Sequence, residues 1–409
     1  MIPARFQPTP EGLREHGERL DRLAPYLLRS DPLADEVAGL LRSPFGDPAA
    51  NSAGAGGEPS WPPPGVSGIQ LLEQALREGR GTLPGAPPSV EALLEHTRRV
   101  PLWVDWEAIA RGGSAFMRAG MLGGIVLGAG ALVLSYTSPG GNKPLVFSGR
   151  LQEQASRRLG ETGHFVRAVT QPEALRQGGE GQLLSLKVRL MHAGVRRLIR
   201  QSGRFRVDLW GEPINQHDML GTLILFSVVV IEGLAKFGYR MPPRDAEGLV
   251  HLWRYVGYLM GVDHDLLPGS YAEARRYGEM IQATQGQPDD DSRALVRALL
   301  HGDIEEARTP KQREFAEKRL RVASGIMRFL HGDELADVLA IPHSPVGVVM
   351  PVVRALVSAT ERARGLSPVR SWAFAAGTRY WDAAVAAGLR GIAADFMPPE
   401  RLAKTEAVA

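Results

Sequence analysis

The 409-residue chain is 44% apolar with a formal net charge of +3, a globular composition with enough length to bury a substantial core. Its arginines are spread along the chain without a dense basic block, which argues against a nucleic-acid partner. It has no cysteine, which excludes disulfides, thiolate zinc sites, iron–sulfur clusters and covalent CxxCH haem attachment, so any haem must be bound non-covalently and without a thiolate.

The start of the chain, Met1 to Pro8, lacks the basic and apolar regions of a secretory signal, and a cytoplasmic location is expected. A first helical pattern runs from Gly12 to Leu28, and Asp31-Pro32 opens a short amphipathic stretch ending near Arg42. Ser43 to Ser67, with Pro62-Pro63-Pro64 inside it, is too rich in Gly, Pro, Ala and Ser for regular structure and reads as a flexible or extended excursion. The expected division is therefore an N-terminal part, residues 1–67, followed by one large helical domain, residues 68–409.

From Ile69 onward helical patterns alternate with Gly and Pro punctuation, and period-two alternation is almost absent, which predicts an all-α fold. Helix starts are expected at Ser89-Val90-Glu91 and at Asn215 or Asp218, and stops at Gly163 or beyond, Gly203, Gly238 and Gly261. Two apolar stretches, Ala119–Tyr136 and Met219–Leu234, approach the length that spans a bilayer. The first is crowded with glycine and the second carries Glu232, so both read as buried core helices rather than membrane spans.

Between Gly149 and Thr170, the residues Leu151, Ala155, Arg158, Thr162, Phe165 and Val169 recur at spacings of four and three, forming one stripe on a helix. Arginine and threonine thus interrupt an apolar face. A buried guanidinium must reach a carboxylate, a phosphate or another acceptor, and a core acid such as Glu232 is one candidate. After a loop marked by Gly178, Gly179 and Gly181, a second helix from Gln182 to Gln201 carries the stripe Val188, His192, Val195 and Ile199, with Arg189, Arg196, Arg197 and Arg200 mostly on other faces. His192 points with the apolar side. Neutral imidazole is the commonest metal ligand and suits a haem iron, although a lone inward histidine is more often a satisfied core residue than a ligand. His164, His217 and His264 read as surface or capping residues.

The run Arg158-Leu159-Gly160-Glu161-Thr162, followed some thirty residues later by Leu190-Met191-His192, resembles the core of the latex-clearing protein and MpaB-type oxygenase family. Further likeness lies in Trp210-Gly211-Glu212-Pro213-Ile214-Asn215-Gln216-His217-Asp218-Met219 and in Trp253-Arg254-Tyr255-Val256-Gly257-Tyr258-Leu259-Met260-Gly261-Val262, with Leu267-Pro268 after it. The similar region is about Ala115 to Pro268. The resemblance implies an all-α fold with a globin-like core around a non-covalent haem b, and an oxygenase that cleaves C=C bonds of isoprenoid chains with dioxygen. It makes His192 the iron ligand and Arg158 and Thr162 the polar pair beside the haem. In rubber-cleaving members the residue before the threonine can be a lysine at the distal iron position. Here it is Glu161, which suggests a five-coordinate or water-bound iron and a carboxylate able to act as a base, or simply an exposed glutamate at the stripe's edge.

The expected function is a haem b-dependent oxygenase acting on a small apolar, isoprenoid-like substrate and dioxygen, with peripheral membrane contact compatible with such a substrate. The alternatives are a cofactor-free helical lipid-binding or membrane-associated protein of the same fold, and an integral membrane protein using the two apolar stretches.

Overall fold

Helices begin where a short polar side chain can take up the unpaired amides of the first turn. Thr9, Asp31, Ser67, Asp105, Asn215, Ser270, Asp289 and Thr309 each accept a backbone N–H as an N-cap. The computed structural model describes residues 2–41, 61–63, 65–148, 150–364 and 367–392, with 394, 396, 398, 399 and 402 beyond. Most of the expected excursion at 43–67 lies outside the described residues, as do the side chains of residues 150–156, including Leu151 and Ala155.

In chain order the helices are α1 (Pro10–His16), α2 (Pro32–Leu40), α3 (Gly68–Glu78), α4 (Pro88–Arg98), α5 (Trp106–Ala119), α6 (Met121–Ile125) and α7 (Leu132–Tyr136), with a π-helical turn, Val126–Ala131, joining the last two. They continue with α8 (Lys143–Ser148), α9 (Arg150–Val169), α10 (Glu180–Gln201), α11 (Val207–Trp210), α12 (Gln216–Phe226), α13 (Val228–Lys236) and α14 (Pro243–Leu259). The chain closes with α15 (Tyr271–Thr284), α16 (Asp290–Glu306), α17 (Pro310–His331), α18 (Asp333–Val338), α19 (Met350–Arg364) and α20 (Ser367–Leu389). No strand occurs among the described residues, so the all-α expectation holds.

The expected single helix from Gly12 to Leu28 is instead three pieces. Gly17 adopts φ +55° and ends α1, and two short 3-10 turns follow. The expected stops are met at Gly203, Gly238 and Gly261, all at positive φ just past α10, α13 and α14.

α5 packs on α14, while α20 lies across α9 and α5. Glycine permits these approaches. A Cβ on Gly112 would lie 2.2 Å from the Gly248 carbonyl carbon, and one on Gly160 would lie 2.7 Å from that of Gly388, so α9 and α20 touch backbone to backbone beside Arg158. α10 separates two apolar regions. Leu183, Leu186 and Leu190 pack with Val37, Leu72, Leu76 and Leu93 of the N-terminal helices, whereas Val188 belongs to the main core.

The first apolar stretch turns sharply away from α5 at its start, and the second is broken. Trp106–Ala119 and Met121–Tyr136 meet at 88°, and Gln216–Lys236, long and apolar enough to cross a membrane, is interrupted at Ser227 and has 56% of its apolar window buried inside the protein. Burial within the fold agrees with the reading of both as core elements.

Candidate functional site

α9 and α10 lie side by side and present Arg158, Thr162 and Phe165 from one helix, and Met191, His192 and Val195 from the other, to a single cavity of about 1850 Å³. Trp253 of α14, Trp381 of α20, Ile214 and His217 add to its wall, as do Leu127, Gly128 and Ala129 of the π-helical turn. A π-turn displaces the backbone from regular helical register and is a frequent device at functional sites. The three residues predicted from helical spacing are thus brought together.

His192 is half-buried, and Nδ1 is buried with no hydrogen-bond partner among the described residues, so the nitrogen left to face the cavity is Nε2. Burial, reinforced by the positive charges of Arg196 and Arg158, pushes its pKa down to about 3. The ring is neutral at physiological pH and keeps a lone pair for a Lewis acid. Arg158 also raises a second question of charge, because it acts electrostatically on Tyr136, whose fully buried hydroxyl is pushed well above the usual phenol range by desolvation. Glu232, considered as its acid partner, is instead exposed, with Oε1 3.7 Å from Arg275.

Thr162 opens onto the cavity. Glu161 does not. Its carboxylate accepts a hydrogen bond from Arg157 Nε at 3.1 Å, one turn back along α9, and it is absent from the cavity wall. The helix rotation of 100° per residue that aims Thr162 inward carries its neighbour to the side.

Two features were not foreseen. His217, expected at the surface or in a cap, does occupy the first turn of α12 but is only 2% exposed and lines the cavity, with Nε2 buried and unpartnered among the described residues. The arginines of α10 are likewise not all outward. Arg189 forms a bidentate pair with Asp31 at 2.6 and 3.0 Å, and Arg196, 1% exposed, binds Asp35 at 2.6 Å and the Ile214 carbonyl at 3.2 Å. The first turn of α2 therefore clamps α10 on either side of His192. His164 meets Glu180 at 3.1 Å, and His264 is exposed.

These observations define a helical protein built around a large, mainly apolar chamber with a neutral histidine in its wall. Residues 106–362, more than half of the chain, match the family described as ER-bound oxygenase mpaB/B′/rubber oxygenase, catalytic domain, and the chain belongs to that oxygenase family. A rubber oxygenase of Streptomyces sp. (strain K30) is 24% identical over 278 residues, covering 68% of this chain and 66% of the relative, just under two thirds of its length. The solved structure of latex clearing protein LCP in the closed state superimposes with a TM-score of 0.63 at 21% identity, covering 87% of this chain and 90% of that one, and shows that the fold is shared.

Proposed function

We propose that the protein is a haem b-dependent oxygenase that uses dioxygen to cleave or oxidise a C=C bond of an apolar, isoprenoid-like substrate. The observation that carries this reading is His192: a neutral imidazole with an unpaired nitrogen, set in the wall of a cavity large enough for a macrocycle and an apolar chain together. Among the described residues no three His, Asp or Glu side chains converge to hold a bare metal ion. An iron at His192 would therefore take its other ligands from a macrocycle, which fits a non-covalent haem.

When bound, the haem supplies the iron centre at which dioxygen is activated. His192 would donate its lone pair to that iron, and Arg158 offers a guanidinium for the carboxylates of the haem or for a developing negative charge. Thr162 contributes a hydroxyl to the same face. Phe165, Trp253, Trp381 and Val195 exclude water and accept the substrate's hydrocarbon. Because the family relative is a rubber oxygenase, a polyisoprene-type chain is the reference substrate class.

The test is the absorption spectrum of the purified protein with haem added. A Soret band that is lost or strongly shifted in His192→Ala, with helical circular dichroism unchanged, supports the assignment. A colourless protein that gives no titratable haem signal leaves the cofactor-free lipid binder instead, and an unchanged spectrum in the variant removes His192 as ligand.

A further inference from the structure

A helix at the surface of a folded chain normally turns its polar side to water. α19 does not. Met350, Val353 and Val357 recur on one side and pack on the main core, and Ser358 ties the helix down by donating to the Gly238 carbonyl at 3.3 Å. On the opposite side Val352, Ala355, Leu356 and Ala359 recur at the i, i+3, i+4, i+7 spacing, and all four are exposed. The 3-10 turn that leads into the helix, Pro345–Val349, adds Val348 one turn before Val352, and Val349 beside it. Val348, Val349, Val352 and Leu356 are 50% to 80% exposed, and α20, packed on α19, presents Trp372 at 67%. An apolar strip of this kind, open to water, marks a surface that meets a partner.

Among the described residues the C-terminal tail does not cover this face: Phe396 lies beside His164 of α9, Pro398 against Gly194 of α10, and Leu402 with Val195 and Ile199. Charge decides the occupant. From Val338 to Trp381 the chain holds five arginines and one glutamate, and the exposed Arg354 and Arg370 form no ion pair among the described residues. A second copy seated on the same face would bring two such basic segments together. An anionic bilayer instead supplies the opposite charge, and an apolar interior for the valines and the leucine.

We propose that the outward face of α19 and the turn before it form a docking surface for anionic lipid membranes. The helix lies along the headgroup region and sinks Val348, Val349, Val352 and Leu356 below it. α17 relates this face to the cavity, because Val346 of the turn lies against Gly325, and Val322, three residues earlier and 46% exposed, stands in the cavity wall. Delivery of an apolar substrate from the bilayer is a consequence that rests on the function proposed above. The docking face itself does not.

The test is flotation of the full-length protein, without haem, on vesicles of equal parts phosphatidylcholine and phosphatidylserine. Wild type should bind these about tenfold more tightly than vesicles of phosphatidylcholine alone, and high salt should remove the difference. The double variant Val352→Gln, Leu356→Gln should bind the mixed vesicles about tenfold more weakly with circular dichroism unchanged, since both side chains stand in water. Leu102→Gln, the same change at an exposed leucine outside α19, should leave binding unaltered. Absence of wild-type flotation overturns the docking face. Undiminished binding by the double variant, or an equal loss in Leu102→Gln, also overturns it. A lipid-free dimer in sedimentation velocity that the double variant dissociates assigns the face to a second copy and overturns lipid docking as well. The haem spectrum of His192→Ala is independent of all these outcomes, so failure of the docking face and failure of the oxygenase reading are told apart.

Discussion

A histidine kept neutral by its surroundings leaves a thermodynamic trace that does not depend on any cofactor. His192 moves from an ordinary value of 6.5 to about 3 on folding, so between these values the unfolded chain holds a proton that the folded one refuses, and stability must fall as pH drops through that window. Comparing urea unfolding of the cofactor-free protein at pH 7 and pH 5, His192→Gln should lose about 1–2 kcal/mol less stability than wild type. Equal losses would mean that the ring is hydrated in the cavity and readily protonated. At this scale the sequence was informative where a polar residue broke an apolar helical stripe, as with Arg158, Thr162 and His192. It was silent on His217, which stands next but one to an N-cap, where a polar residue is ordinary; its burial is a property of the packed fold. Glu161 shows the converse, since its neighbours in sequence placed it beside the site and its ion pair with Arg157 turns it away.

Among the elements, α10 matters most because it carries His192, and α2 holds it. Asp31 performs two tasks, capping α2 through Ala34 N–H at 3.2 Å and neutralising Arg189, and Gly261 at φ +79° leaves the room, since a Cβ there would lie 2.3 Å from Asp31 Oδ2. Asp31→Asn preserves a good cap and removes the charge, stranding a guanidinium that is almost fully buried. The expected loss is about 3–5 kcal/mol in urea unfolding. Adding Arg189→Met should recover more than half of it, because an apolar side chain needs no counter-ion. A double variant as unstable as the single one would show that the amide, not the stranded charge, is at fault. Helix positions were legible because caps and glycine stops act locally, as at Asn215, Gly203 and Gly261. The clamp was not, because Asp31 and Arg189 are 158 residues apart and nothing in either local pattern names the other.

For the whole molecule, the chamber is the property that no segment of sequence contains. α9 and α10 supply Arg158, Thr162 and His192, but the π-helical turn, α12, α14, α17 and α20 supply much of the wall, and Trp381 and Val385 lie well beyond the region whose motifs pointed to an oxygenase. A cavity of this size, partly open to solvent, leaves apolar side chains without the dispersion contacts that close packing would provide. An occupant that binds only the folded state therefore returns stability by mass action, about 2.7 kcal/mol at a free concentration one hundred times its dissociation constant. Haem added to the cofactor-free protein should raise the urea midpoint progressively with haem concentration. His192→Ala should start near the wild-type midpoint, since it loses no pairing partner among the described residues, yet gain much less from the same haem. An equal gain would place the binding energy in the apolar walls rather than in the bond to His192, and no gain in either protein would separate the chamber from haem altogether.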